Sequence, residues 1–105
     1  MRVKAGVIVV QWHPAMEFAL EVIDNSFIEA TTEDAVLTSA ADGVHSKKSL
    51  HYKGRAADFR SRDLDETLRD RLVRTLRLRL GECFDVVIEP THIHIEYDPY
   101  WLKGR

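Results

Sequence analysis

Phe84-Asp-Val-Val-Ile-Glu89-Pro-Thr-His92-Ile-His94-Ile-Glu96-Tyr97 reads as two strands joined across Pro90-Thr91. Side chains alternate between the faces of a strand. His92, His94 and Glu96 therefore share one face, and Ile93, Ile95 and Tyr97 the other. A two-residue connection sets Glu89 directly opposite His92 on the polar face. Pro90 cannot adopt the positive φ of the favoured hairpin turns, so a type I turn or a longer link is expected. The pattern is that of an antiparallel pair with one wet and one packed face.

Working outward, Arg55 to Arg60 continues the alternation, with Ala56 and Asp58 on one face and Ala57 and Phe59 on the other. Asp34 to Ala40 reads as a further strand centred on Val36 and Leu37. Val3 to Val10 reads as an edge strand or an extended lead-in. Two helices are expected. Pro14 suits a first turn, and a helix to about Phe27 would place Phe18, Val22 and Ile23 on one stripe beside Ala15, Met16 and Ala19. Asp63 with Glu66 matches a capping box. Leu64, Leu68, Leu72, Leu76 and Leu80 then recur every four residues, Val73 joins them, and Gly81 ends the helix.

With 105 residues, of which 45% are hydrophobic and 30% charged, the chain is expected to form a single domain, residues 1–105, around one core. A net charge of −2 gives no general attraction to nucleic acid or to a membrane. The five helical arginines from Arg69 to Arg79 are interleaved with acids and read as a solvated face. Cys83 is the lone cysteine, which excludes an internal disulfide and suits a small buried residue at a strand start. The apolar run Ala5 to Val10 is too short to span a bilayer and leads into Gln11-Trp12-His13-Pro14, not a cleavage site. The expected location is cytoplasmic at synthesis.

The chemistry concentrates in two clusters. The first is His45-Ser-Lys-Lys-Ser49-Leu-His51-Tyr-Lys-Gly54-Arg-Ala-Ala-Asp58, where Gly54 can turn the backbone between imidazole and carboxylate. The second is Glu89-Pro-Thr-His92-Ile-His94. The His51–Asp58 spacing carries little alone. The weight comes from four of the five histidines falling in two short segments, each with a carboxylate. Two neutral imidazoles, one carboxylate and an open fourth position form the usual ligand set of a catalytic zinc. Lys47, Lys48 and Lys53 are ordinary solvated charges, or a support for an anionic substrate. His13, just before a helix, reads as a cap. The expected fold class is thus α+β, a small antiparallel sheet of about four strands with two helices on one face and a zinc site on the other.

These residues resemble the zinc peptidase superfamily that groups D-Ala-D-Ala carboxypeptidases and dipeptidases, phage peptidoglycan endopeptidases, lysostaphin-type enzymes and the hedgehog signalling domain. Ser49-Leu-His51-Tyr-Lys-Gly54-Arg-Ala-Ala-Asp58 resembles the SxHxxGxAxD motif, and Phe84 to His94 resembles the closing strand pair. The local motif is closest to hedgehog. The resemblance implies one Zn²⁺ per chain held by His51, Asp58 and His94. It also implies Glu89 as general base, His92 as an oxyanion donor, and His45 with Ser49 at the cleft or substrate. Glu89 lies closer to His94 than in hedgehog, yet further than in the dipeptidases, whose glutamate is three residues before the ligand. By that second spacing His92 is the third ligand, so both assignments stand. The implied activity is hydrolysis of D-amino-acid-containing peptide bonds in peptidoglycan by a phage-encoded enzyme that reaches the cell wall on lysis. The alternative is a zinc-binding pseudoenzyme or interaction domain of hedgehog type.

Overall fold

The period-two alternation of the last third of the chain is realised as a sheet edge around which the other elements assemble. A computed structural model describes residues 1–9, 11–40 and 54–99. In chain order the elements are β1 (Arg2–Val3), α1 (Pro14–Thr31), β2 (Val36–Ser39), β3 (Ala56–Arg60), α2 (Glu66–Leu80), β4 (Phe84–Ile88) and β5 (His92–Tyr97). The sheet order is β1-β2-β3-β5-β4. The expectation of about four antiparallel strands requires correction, because among the described residues the sheet has five strands and is mixed. β2 to β5 are antiparallel neighbours, and β1 adds a parallel edge, with Arg2 opposite Val36 and Val3 opposite Leu37. β1 is only two residues long, too short for an alternation to announce it.

α1 starts as expected. Pro14 lies in its first turn, and the Nδ1 of His13 accepts the Ala15 N–H at 3.1 Å, which makes His13 the N-cap. The helix continues past Phe27 to Thr31, since Ile28, Glu29 and Ala30 offer no break, and it ends where Thr32 turns left-handed at φ 65°. Its buried stripe is Met16, Ala19, Ile23 and Phe27. Phe18 lies outside that stripe and is 62% exposed. α2 begins two residues later than the Asp63–Glu66 pattern suggests. The N-cap is Asp65, whose backbone is extended and whose carboxylate accepts the Leu68 N–H at 2.8 Å. Gly81 ends the helix, its N–H donating to the Arg77 carbonyl. Arg77 and Arg79 on this helix serve packing. Arg77 donates to the Val86 carbonyl, while Arg79 meets Ser26 and Glu29 on α1.

Both helices and one sheet face share a single apolar cluster, in which Ile23, Phe59, Leu72, Leu76, Ile93 and Ile95 are all essentially buried. Each such side chain contributes ~1.5–3 kcal/mol by leaving water. Since Ala57, Phe59, Ile93 and Ile95 point into this cluster, their neighbours Asp58, His92, His94 and Glu96 are left on the opposite face. Cys83 is only partly buried and precedes β4. The aromatic tail from Tyr100 onward lies outside the described residues.

Candidate metal centre

β3 and β5 pair residue for residue, with Asp58 opposite His94 and Arg60 opposite His92. Asp58 is nearly buried at 8% exposure. Its Oδ1 lies 2.8 Å from His94 Nδ1, and its Oδ2 lies 3.8 Å from His92 Nε2. On the other side of His94, Nε2 stands 3.7 Å from the Glu96 carboxylate. Burial of the ring works against its charge. The hydrogen bond with Asp58, followed by that with Glu96, outweighs burial and raises the His94 pKa from 6.5 to about 9. Without a metal, the imidazole is therefore an imidazolium between two carboxylates at neutral pH.

Glu89-Pro90-Thr91 separate β4 from β5, and Pro90-Thr91 form the turn. Ile88 pairs with Ile93, and the Glu89 N–H donates to the His92 carbonyl at 2.9 Å. Glu89 and His92 are thus cross-strand neighbours on the polar face, as the sequence pattern predicts. The Ser61 N–H donates to the Thr91 carbonyl, tying the turn to the end of β3. Asp58 and His92 open into a cleft of about 240 Å³ that Thr38, Ser39 and Thr91 also line.

The donor chemistry suits a divalent cation in part. Asp58 and His94 approach closely, and the pair of carboxylates around His94 favours positive charge between them. Asp58, His92 and His94 do not all converge, however. Among the described residues, only Asp85, Glu96 and Asp98 bring three donor atoms within 4.8 Å of one another. That group adjoins the pair through Glu96, while Asp98 also pairs with Arg55 at 3.7 Å. Asp58 approaches His94 about 1 Å more closely than it approaches His92. The remaining proposed ligand His51, and the cleft residues His45 and Ser49, lie outside the described residues.

The chain re-enters the described region at Gly54, whose φ is +67°. A Cβ at this position would strike the Gln11 carbonyl oxygen, and the Gly54 carbonyl accepts the His13 N–H at 2.9 Å. His13 in turn stacks on Tyr97, ring centroids 4.9 Å apart. The backbone four residues before Asp58 is therefore fixed against the start of α1 and the end of β5.

Sequence reasoning left two features out of the site. Glu96 follows from the same alternation that identifies His92 and His94, and Arg60 from the alternation that identifies Asp58. Neither belongs to a histidine cluster, so histidine spacing does not point to them. No family model matches the chain, and no curated protein matches it either.

Proposed function

We propose that the protein is a zinc-dependent peptidase acting on D-amino-acid-containing peptide bonds of peptidoglycan. The observation that carries this reading is the 2.8 Å approach of Asp58 and His94 across β3 and β5. Glu89 and His92 lie on the same sheet face. The likeness of the two motif segments to the zinc peptidase superfamily supports the reaction class and the substrate.

His51, Asp58 and His94 would hold the metal, which when bound supplies a Lewis acid able to bring a water's pKa to ~7. Glu89 takes the proton from the attacking water and delivers it to the leaving amine. His92 donates a hydrogen bond to the oxygen that becomes negative in the tetrahedral intermediate.

A second reading draws on the raised pKa of His94. An imidazolium between Asp58 and Glu96 is a complete ion pair without metal, which suits an interaction domain lacking zinc and peptidase activity. Metal analysis of protein purified without a histidine tag, together with turnover of muropeptides, separates these readings. About one zinc per chain with release of amino groups supports the peptidase. Zinc without turnover supports the hedgehog-type pseudoenzyme, and neither supports the metal-free domain. Among the described residues, no helix is long and apolar enough to cross a membrane.

A further inference from the structure

Among the described residues, the cleft that opens beside Asp58 and His92 is lined by three cationic side chains, Lys4, Arg60 and Arg62. They come from three places in the chain: the residue after β1, the last residue of β3 and the loop beyond it. Among the described residues, Asp58 is the only acidic one lining this cleft, and its carboxylate already faces His94. Neither Lys4 nor Arg60 is ion-paired among the described residues, and Arg62 reaches only its neighbour Asp63, at 4.0 Å between two exposed groups. Arg60 also borders a pocket containing Asp34 and Asp63, yet pairs with neither. A concentration of unpaired positive charge in a protein of net charge −2 is a local anion site and not part of a general basic surface.

We infer that Lys4, Arg60 and Arg62 form a subsite for the free C-terminal carboxylate of a peptide, so that the protein trims chain ends. This inference rests on the peptidase reading for its substrate class. Three observations favour a terminal carboxylate over a larger anion. The cleft volume of about 240 Å³ lies below the ~300–1,000 Å³ that holds a drug-sized ligand, and suits one terminal residue. The planar fork of arginine matches a carboxylate with two parallel hydrogen bonds. The cleft adjoins the proposed reacting groups, so an anion bound there would sit beside the bond to be cleaved. The Thr91 hydroxyl also stands at its wall, whereas that of Thr38 donates to the Asp58 backbone carbonyl at 3.2 Å.

The test compares Nα,Nε-diacetyl-Lys-D-Ala-D-Ala with its C-terminal amide on the full chain in zinc-containing buffer. Binding is followed by NMR titration, and hydrolysis by amine release. The free acid is expected to bind at least tenfold more tightly than the amide. Lys4→Gln combined with Arg60→Gln should abolish that preference without changing zinc content. Arg62→Gln, at an exposed position, provides a second variant that leaves the sheet intact. Equal affinity for acid and amide would overturn the subsite, as would a preference surviving all three substitutions or no binding of either peptide. Inorganic phosphate binding as tightly as the free acid would overturn it too, by showing an unselective anion site. Carboxylate-dependent binding without hydrolysis would leave the subsite standing and remove the peptidase. Equal hydrolysis of both peptides would do the reverse.

Discussion

The carboxylate of Asp58 and the imidazole of His94 meet at 2.8 Å from directly paired positions on neighbouring strands. Their register is set by the backbone ladder, so neither side chain depends on a loop for its position. Asp58 is nearly buried, and removal of His94 would leave its charge without the 2.8 Å partner. Breaking a buried pair from one side is strongly destabilising, and the partial exposure of His94 moderates that cost here.

Loss of a ligand should empty the metal site. His51→Ala, Asp58→Ala and His94→Ala are each expected to reduce zinc from about one per chain to a small fraction, measured by elemental analysis after dialysis. Full occupancy in the Asp58 and His94 variants would exclude the proposed ligand set.

His92 and His94 should separate by phenotype. His92→Ala is expected to keep zinc and lose rate, since an oxyanion donor supplies ~3–4 kcal/mol of transition-state stabilisation. If His92→Ala empties the site while His94→Ala leaves it filled, the ligand is His92, as the spacing of the dipeptidases implies.

Glu89→Gln preserves shape but cannot accept a proton. Zinc should remain bound while hydrolysis falls by ~10²–10⁴-fold, the usual worth of general acid–base catalysis. An unchanged rate constant would assign the base elsewhere.

The metal-free protein should lose stability as the solution becomes alkaline. The folded-state pKa of His94, about 9, is above its ordinary 6.5. Its charge therefore stabilises the fold fully below pH ~6.5, and that contribution disappears as pH rises through about 9. The thermal midpoint of zinc-stripped protein should fall across this window, more than in His94→Gln. An imidazole signal for His94 titrating near 6.5 would contradict the expectation. Zinc binding at pH 7 should also release protons, because a metal-bound imidazole nitrogen cannot keep its own.

Gly54→Ala should be disproportionately damaging for a single methyl. The left-handed backbone alone costs ~1–2 kcal/mol with a Cβ present, and collision with the Gln11 carbonyl adds to this. Urea unfolding should show a clearly lowered midpoint. Gly6→Ala makes the control, since Gly6 is also left-handed at φ +88° but has open space around it.

The sequence was most informative where period and burial coincide. His92-Ile-His-Ile-Glu-Tyr assigned its faces correctly because every second residue is apolar, and Gly81 marked the end of α2. Phe18 fits a stripe with Val22 and Ile23 by spacing alone, but the buried phase of α1 is set by Met16, Ala19, Ile23 and Phe27. Asp63 and Asp65 both stand at plausible cap positions, and only the extended backbone at Asp65 decides between them. The pairing of Arg2 and Val3 with β2 is non-local, as is the gathering of Lys4, Arg60 and Arg62. Contacts of that kind leave no local periodicity to read.

The two-residue turn Pro90-Thr91 between β4 and β5 also limits how this protein can diversify. A single inserted residue at Pro90-Thr91, if absorbed by sliding β5, would exchange its two faces, sending His92 and His94 inward and Ile93 and Ile95 out. Substitution at Thr91 leaves the register intact, whereas a change in length there removes core and site together. Homologous chains should therefore vary in the identity of these two residues far more readily than in their number.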